Sequence, residues 1–295
     1  MKIIVTGSLG NISKPLTKQL IEKGHDVTVI SSNGKKQDEI TSLGATAAIG
    51  QLEDVNFLVN TFTGADAVYC MTPSNFAEND LIAYYRKIGK NYAQAIGTTG
   101  VKRVVLLSSF GAHLNKGTGI ILGSHYVEQM LNELPDVAVT HMRPAAFYYN
   151  LHTFAGMIKK MGFMAANYGG TDKVLWVSPA DIAEAVAEEI IRPHGPKIRY
   201  IASDERSCNE VAAILGKAIG QPHLQWNIIP GEQMQTGLEA NGVPPLIASL
   251  LVELNAALHS GILAEDYYQN PPAVMGKVKL EDFAAEFAAA FNTNN

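Results

Sequence analysis

Short apolar runs alternate with stretches of helical period along the first half of the chain. Residues 3–5, 27–30, 66–71 and 104–108 read as buried strands, with residues 15–23, 83–96 and 126–134 as helices. This alternation predicts a parallel sheet with helices on both faces. The first helix has clear punctuation: Asn11 or Ser13 as its cap, Pro15 in its first turn and Gly24 as its stop. Gly97 and Gly100 end the long helix, and a strand over residues 137–142 stops at Arg143 and Pro144, where proline lacks the N–H that a ladder needs.

Past Asn150 the rhythm changes. Residues 180–191 and 209–219 read as helices around a short strand at 199–202, and residues 232–268 as amphipathic helix broken between Gly242 and Pro245. In the tail, Leu280, Phe283, Ala284, Phe287, Ala288 and Phe291 recur at three- and four-residue spacing, which predicts one apolar helical face. The expected architecture is α/β: a Rossmann-type doubly wound parallel sheet with a smaller, mostly helical C-terminal domain. Residues 1–150 form the nucleotide-binding domain and 175–200 return to it. Residues 201–295 form a substrate or lid domain to which 151–174 contribute.

Composition narrows the function classes. The 295 residues are 47% hydrophobic and 17% charged, enough apolar content for a sizeable core and unlike a disordered chain. A net charge of −5 without a basic run argues against a nucleic-acid partner. No apolar run approaches the roughly 18 residues of a membrane span, and the first residues read as a strand rather than a secretion leader. The expectation is a cytoplasmic monomer or homodimer with no membrane partner. Cys70 and Cys208 sit in unlike contexts and read as buried thiols. The eight histidines, among them His113, His125, His141 and His152, show no metal-ligand spacing, and no metal is expected. Ser108 and Ser109 do not form a nucleophile elbow.

The strongest chemical signal is the stretch Thr6, Gly7, Ser8, Leu9, Gly10, Asn11, Ile12, which joins the first strand to the first helix. A pyrophosphate placed there meets unpaired backbone N–H groups and the positive end of the helix. Glycine at positions 7 and 10 lets the backbone turn tightly and approach phosphate oxygens that a Cβ would block; Ser13 replaces the usual third glycine. An NAD site would carry an acidic residue after the second strand, near Ile30. Instead the segment offers Ser31, Ser32, Asn33, Gly34, Lys35 and Lys36, whose hydroxyl, amide and ammonium groups suit a 2′-phosphate. The expected cofactor is NADP(H) in preference to NAD(H), read by Ser31, Asn33 and Lys35.

Further motifs follow in order: Gly50, Gln51 and Leu52; Ala65 to Val68; Thr72 and Pro73; Gly100 to Val105; and Arg143 to Asn150. With Trp176 to Ala183 and Glu281 to Ala284, these make the chain resemble the NmrA-like branch of the atypical short-chain dehydrogenase/reductases nearly end to end. The resemblance implies Gln51 and Leu52 near the adenine, Met71, Thr72 and Pro73 near the inner ribose, and Pro144 and Phe147 near the nicotinamide. Ser108, at a polar strand tip, joins this cofactor set.

Carbonyl reduction by hydride leaves an alkoxide and needs a proton donor, commonly a Tyr activated by a Lys four residues on. In the family's pattern those slots fall on Ile120 and Ser124, so both groups are missing. His125 and Tyr126 are the neighbouring candidates for catalysis. A quinone that accepts hydride becomes a hydroquinone anion, far less basic than an alkoxide, so a strong protein acid matters less. The resemblance implies the same chemistry, since some relatives are quinone reductases. NADPH-dependent reduction of a small planar acceptor is therefore the first expectation, with Phe147, Tyr148, Tyr149 and Phe154 lining the pocket. The alternative is a catalytically silent NADP(H)-binding redox sensor.

Overall fold

A computed structural model describes residues 1–272 and 274–293. The chain first runs through β1 (Lys2–Val5), α1 (Ser13–Glu22), β2 (Asp26–Ser31), α2 (Gln37–Ser42), β3 (Thr46–Ile49), α3 (Val55–Phe62) and β4 (Ala67–Met71). It continues with α4 (Leu81–Thr99), β5 (Arg103–Leu107), α5 (Ile121–Asn132), β6 (Ala138–Pro144), β7 (Ala146–Phe147), α6 (Ala155–Met161), β8 (Met164–Ala166) and β9 (Lys173–Val177). Then come α7 (Pro179–Glu189), β10 (Ile198–Ile201), β11 (Asp204–Ser207), α8 (Cys208–Ala218), β12 (Trp226–Ile228), α9 (Gly231–Ala240), α10 (Pro245–Ser260), α11 (Glu265–Gln269) and α12 (Leu280–Thr293). Among the described residues no single helix is long and apolar enough to cross a membrane.

Two compact units make up the chain. The first comprises Met1–Ala112, Gly123–Arg143 and Ile182–Arg199; the second comprises His113–Leu122, Pro144–Asp181 and Tyr200–Asn295. The central sheet has the order β10-β6-β5-β4-β1-β2-β3, and the pairs from β3 through β6 are parallel. Reading from β3 to β6 gives the order of the Rossmann fold, with helices on both faces and the order of the parallel strands reversing between β1 and β4. Ligands of such sheets bind beyond the carboxyl ends of the strands at that reversal, where the turn after β1 lies. Residues Ile3, Ile4, Val5, Val104 and Val105 are fully buried, as strands covered on both faces require.

Several local expectations are corrected. Neither Asn11 nor Ser13 caps α1: Ile12 holds the cap position without a side-chain bond, and the buried Ser13 hydroxyl donates back to the Thr6 carbonyl at 2.8 Å. Gly97 lies inside α4, which ends instead at Gly100 in the left-handed conformation, φ 70°. Helix α5 begins at Ile121, five residues before Tyr126, and its Gly123 approaches α4 closely: a Cβ there would lie 2.6 Å from the Tyr85 ring. Strand β6 runs on through Pro144.

The second unit is built around aromatic rings. Trp176 stacks on Tyr148, Tyr148 on Phe283, and Phe287 on Phe291. Its strands are short, in an antiparallel β11-β9 pair extended by β7 and a parallel β12-β8 pair. Helix α12 lays Leu280, Phe283, Ala284, Phe287 and Phe291 into this core.

Candidate functional site

The turn after β1 is held from below by bonds that the parallel ladder alone does not supply. Thr6, fully buried, accepts a hydrogen bond from the Met71 N–H on its Oγ1 at 2.8 Å, and the Tyr92 hydroxyl donates to the Met71 carbonyl at 2.6 Å. These bonds tie the end of β1 to the end of β4. Burial is the first cause that pushes the Tyr92 phenol well above its ordinary pKa, so it stays a donor.

Gly7 sits at φ 89°, in the left-handed region. A Cβ there would lie 2.7 Å from Ser13 Oγ and 2.9 Å from Met71 Cγ. Its carbonyl accepts from Gly10 N–H at 3.2 Å, which closes the turn, and a Cβ on Gly10 would lie 3.2 Å from that same oxygen. Ser8, at φ 56°, donates its N–H to the Ile30 carbonyl at 2.9 Å and its hydroxyl to Ser31 Oγ at 2.9 Å. The loop is thus stitched to the end of β2. Helix α1 has no side-chain cap; the Lys14 N–H donates to the Gly10 carbonyl and Pro15 has none, so among the described residues the Ile12 and Ser13 N–H groups remain for an external anion.

Around this turn the other sequence-derived residues take distinct places. Ser31 is buried, so its hydroxyl serves Ser8 and the Asn33 main chain, whereas Asn33 and Lys35 are exposed. Asn33 accepts the Lys35 N–H on its side chain at 3.0 Å and starts a tight helical turn, Gly34–Lys36. Gln51 is exposed just past β3 and Leu52 is buried, its carbonyl accepting from Asn91 at 3.0 Å. Thr72 Oγ1 is buried and finds no hydrogen-bond partner among the described residues. Leu9 and Pro73 are partly buried, and Ile12 is buried.

Farther along the sheet edge, Ser108 donates to Glu128 Oε1 at 2.5 Å. The Arg143 guanidinium grips the same carboxylate with two bonds, 2.9 Å from Nε and 2.7 Å from the second terminal nitrogen. Burial opposes the charge on Glu128, but the bonds from Arg143 and Ser108 and the charge of Arg143 hold its carboxyl below the usual range. Glu128 escapes detection in the sequence because it reads as an ordinary exposed helix position.

The catalytic candidates are both engaged. His125 donates from Nδ1 to the Ala112 carbonyl at 2.9 Å, and the Tyr126 ring lies 3.6 Å beneath the Arg86 guanidinium. Ile120 precedes α5, so positions 120 and 124 do not share a helical face. Pro144 and Phe147 belong to the second unit. There the pocket expected of the aromatic stretch needs correction: Tyr148 and Phe154 are core residues, packed on Trp176 and Trp226, because rings of that size close a unit with so little sheet. Phe147 and Tyr149 remain half-buried with ring centroids 5.0 Å apart.

The cradle suits a dinucleotide on structural grounds. The space a Cβ would fill is left open at Gly7 and Gly10, the Ile12 and Ser13 N–H groups stand at the start of α1, and the Thr72 hydroxyl has no partner among the described residues.

Comparison with known proteins agrees with this fold. An NAD(P)H azoreductase from Xenophilus azovorans is 27% identical over 297 residues, covering 98% of this chain and 99% of the relative. An NADPH-dependent quinone oxidoreductase from Escherichia coli, solved with NADPH, superposes with a TM-score of 0.81 at 19% identity, covering 96% of this chain and 99% of the other. The triphenylmethane reductase of Citrobacter sp., solved with NADP(H), gives a TM-score of 0.78 at 18% identity over 97% and 99% of the two chains. Residues 1–258 match the NmrA-like family, and the chain belongs to that family.

Proposed function

We propose that the chain is an NADPH-dependent oxidoreductase that reduces a small planar acceptor, with quinones as the substrate class. The observation that carries the reading is the turn at Gly7, shaped for a pyrophosphate at the reversal point of a Rossmann sheet. The names of three similar proteins, an azoreductase, a quinone oxidoreductase and a triphenylmethane reductase, all denote reduction of conjugated acceptors.

Bound NADPH supplies a hydride. The chain's own part is to bind and orient. The Ile12 and Ser13 N–H groups at the start of α1 and the left-handed Gly7 would hold the pyrophosphate, and Thr72 would offer its hydroxyl to the ribose side. Ser108 has its proton committed to Glu128, so it presents acceptor lone pairs rather than an acid. His125 is bonded to a main-chain carbonyl and the Tyr126 ring faces a guanidinium, neither of which prepares an acid for an alkoxide. An acceptor whose reduced form is a weak base fits these residues better than a ketone does.

The test is oxidation of NADPH, with NADH in parallel, against a panel of simple quinones. Turnover that favours NADPH supports the reading, and Gly7→Ala should weaken cofactor binding by more than about tenfold, since a Cβ strains the left-handed turn as well as meeting Ser13 and Met71. Tight NADPH binding without turnover of any acceptor would select the redox sensor instead.

A further inference from the structure

The end of β2 carries a charge arrangement that the Gly-rich turn does not require. Lys14 Nζ lies 2.8 Å from Glu39 Oε1 and Lys36 Nζ lies 2.7 Å from Glu39 Oε2, so one carboxylate is shared by two ammonium groups from different segments. Lys14 is the second residue of α1, and its N–H donates to the Gly10 carbonyl of the turn at 3.0 Å. Lys36 closes the helical turn that Asn33 starts, and Glu39 stands in the first turn of α2. The same segments are joined at their other end by the bond between Ser8 and Ser31. The place is therefore built: the β1–α1 turn, the end of β2 and the start of α2 converge, and their charges meet on Glu39.

In a Rossmann sheet this is where the adenosine ribose lies, and where the cofactors with and without a 2′-phosphate are told apart. Two lysines that share a carboxylate are a receptor for an anion of about the same size. A phosphate monoester at this place carries about −1.5 to −2 charges at neutral pH, against −1 for a carboxylate. We propose that Lys14 and Lys36 are the readers of the cofactor's 2′-phosphate and that Glu39 is a built-in competitor for them, setting how strongly NADPH is preferred over NADH. This rests on the dinucleotide reading above. The competition persists at all working pH values, because the hydrogen bond from Lys14 and then that from Lys36 hold the Glu39 carboxyl at about 2. NADH, with no phosphate to place there, leaves the three charges as they are. Lys35, the reader expected from sequence, takes no part in this triad.

Equilibrium binding of NADPH, NADH, 2′,5′-ADP and 5′-AMP to the full chain by calorimetry tests the proposal without reference to turnover. Glu39→Gln should tighten NADPH and 2′,5′-ADP about three- to tenfold, the sum of two exposed ion pairs released, with NADH and 5′-AMP changed less than about twofold. Lys14→Ala with Lys36→Ala should weaken only the two phosphate-bearing ligands. An unchanged ratio in Glu39→Gln would overturn the proposal. So would a loss of NADPH affinity in that variant, which would make Glu39 a support for the lysines rather than a rival. If the unaltered chain binds neither NADPH nor NADH, the cofactor reading itself fails, which is a different result from binding both without a response at position 39.

Discussion

In the first unit, buried aliphatic strands pair their main-chain groups in a continuous parallel ladder, and the charges that remain inside are matched by other charges. Glu189, fully buried, receives Arg103 at 2.9 Å and Arg199 at 3.3 Å, and Glu128 receives Arg143. The second unit has strands of two to five residues and hands its loose main-chain donors to neutral or single acidic side chains. Asp181, also buried, accepts from Lys277 N–H at 3.0 Å, Val278 N–H at 3.1 Å and Ser203 Oγ at 2.6 Å. Gly276 makes room for this node, since a Cβ there would lie 2.4 Å from the Asp181 carboxylate. The difference teaches that a long ladder leaves few orphans and frees side chains for ion pairs, whereas a unit with little sheet must use side chains to satisfy its backbone.

The sharpest way to break this comparison is Glu189→Ala. It leaves Arg103 buried without its anion, and loss of about 3–5 kcal/mol is expected in denaturant unfolding; a loss below about 1 kcal/mol would mean that the ion pair is not what holds this part of the first unit. Next comes Asp181→Ala, with an expected loss of about 2–3 kcal/mol from stranded donors. Hydrogen exchange should show it as faster exchange at the Lys277 and Val278 amides, and unaltered protection there would place their support elsewhere.

The smallest effect is a pH dependence. His141 is fully buried, donates from Nε2 to Asn132 at 2.9 Å, and has no partner for Nδ1 among the described residues. Burial, assisted by the charges of Arg143 and Lys197 and opposed by Glu128, lowers its pKa from 6.5 to about 4. The unfolded ring takes up a proton as pH falls through 6.5 while the folded ring stays neutral until about 4, so stability declines across that window. Between about pH 6.5 and pH 5 the decline from this ring is about 2 kcal/mol. His141→Gln should flatten the profile there, and a slope unchanged by the substitution would assign it to other groups.

How far these features were legible depends on how local their causes are. The strand at residues 3–5, the glycine turn and the helix stopped by Gly24 are written in consecutive residues, and they stand where the pattern puts them. Strand β3 was not legible, because Thr46 to Ile49 holds two alanines, which favour strand little, and only one large apolar residue, so its pairing with β2 makes it a strand. Lys14 and Glu39 are 25 positions apart and each alone resembles an ordinary solvated charge. Glu128 and Arg143 are likewise joined only when α5 packs beside β6.

By itself, then, the sequence determined the α/β class, the first βαβ unit and the place of the glycine turn, since hydrophobic period and glycine conformation act within a few residues. Only the tertiary structure decided which charges meet: Glu39 between two lysines, Glu189 between two arginines, Asp181 beneath the Lys277 and Val278 amides. Electrostatic and hydrogen-bond partners are chosen by distance in space, and a linear pattern carries no record of that distance until the chain has folded.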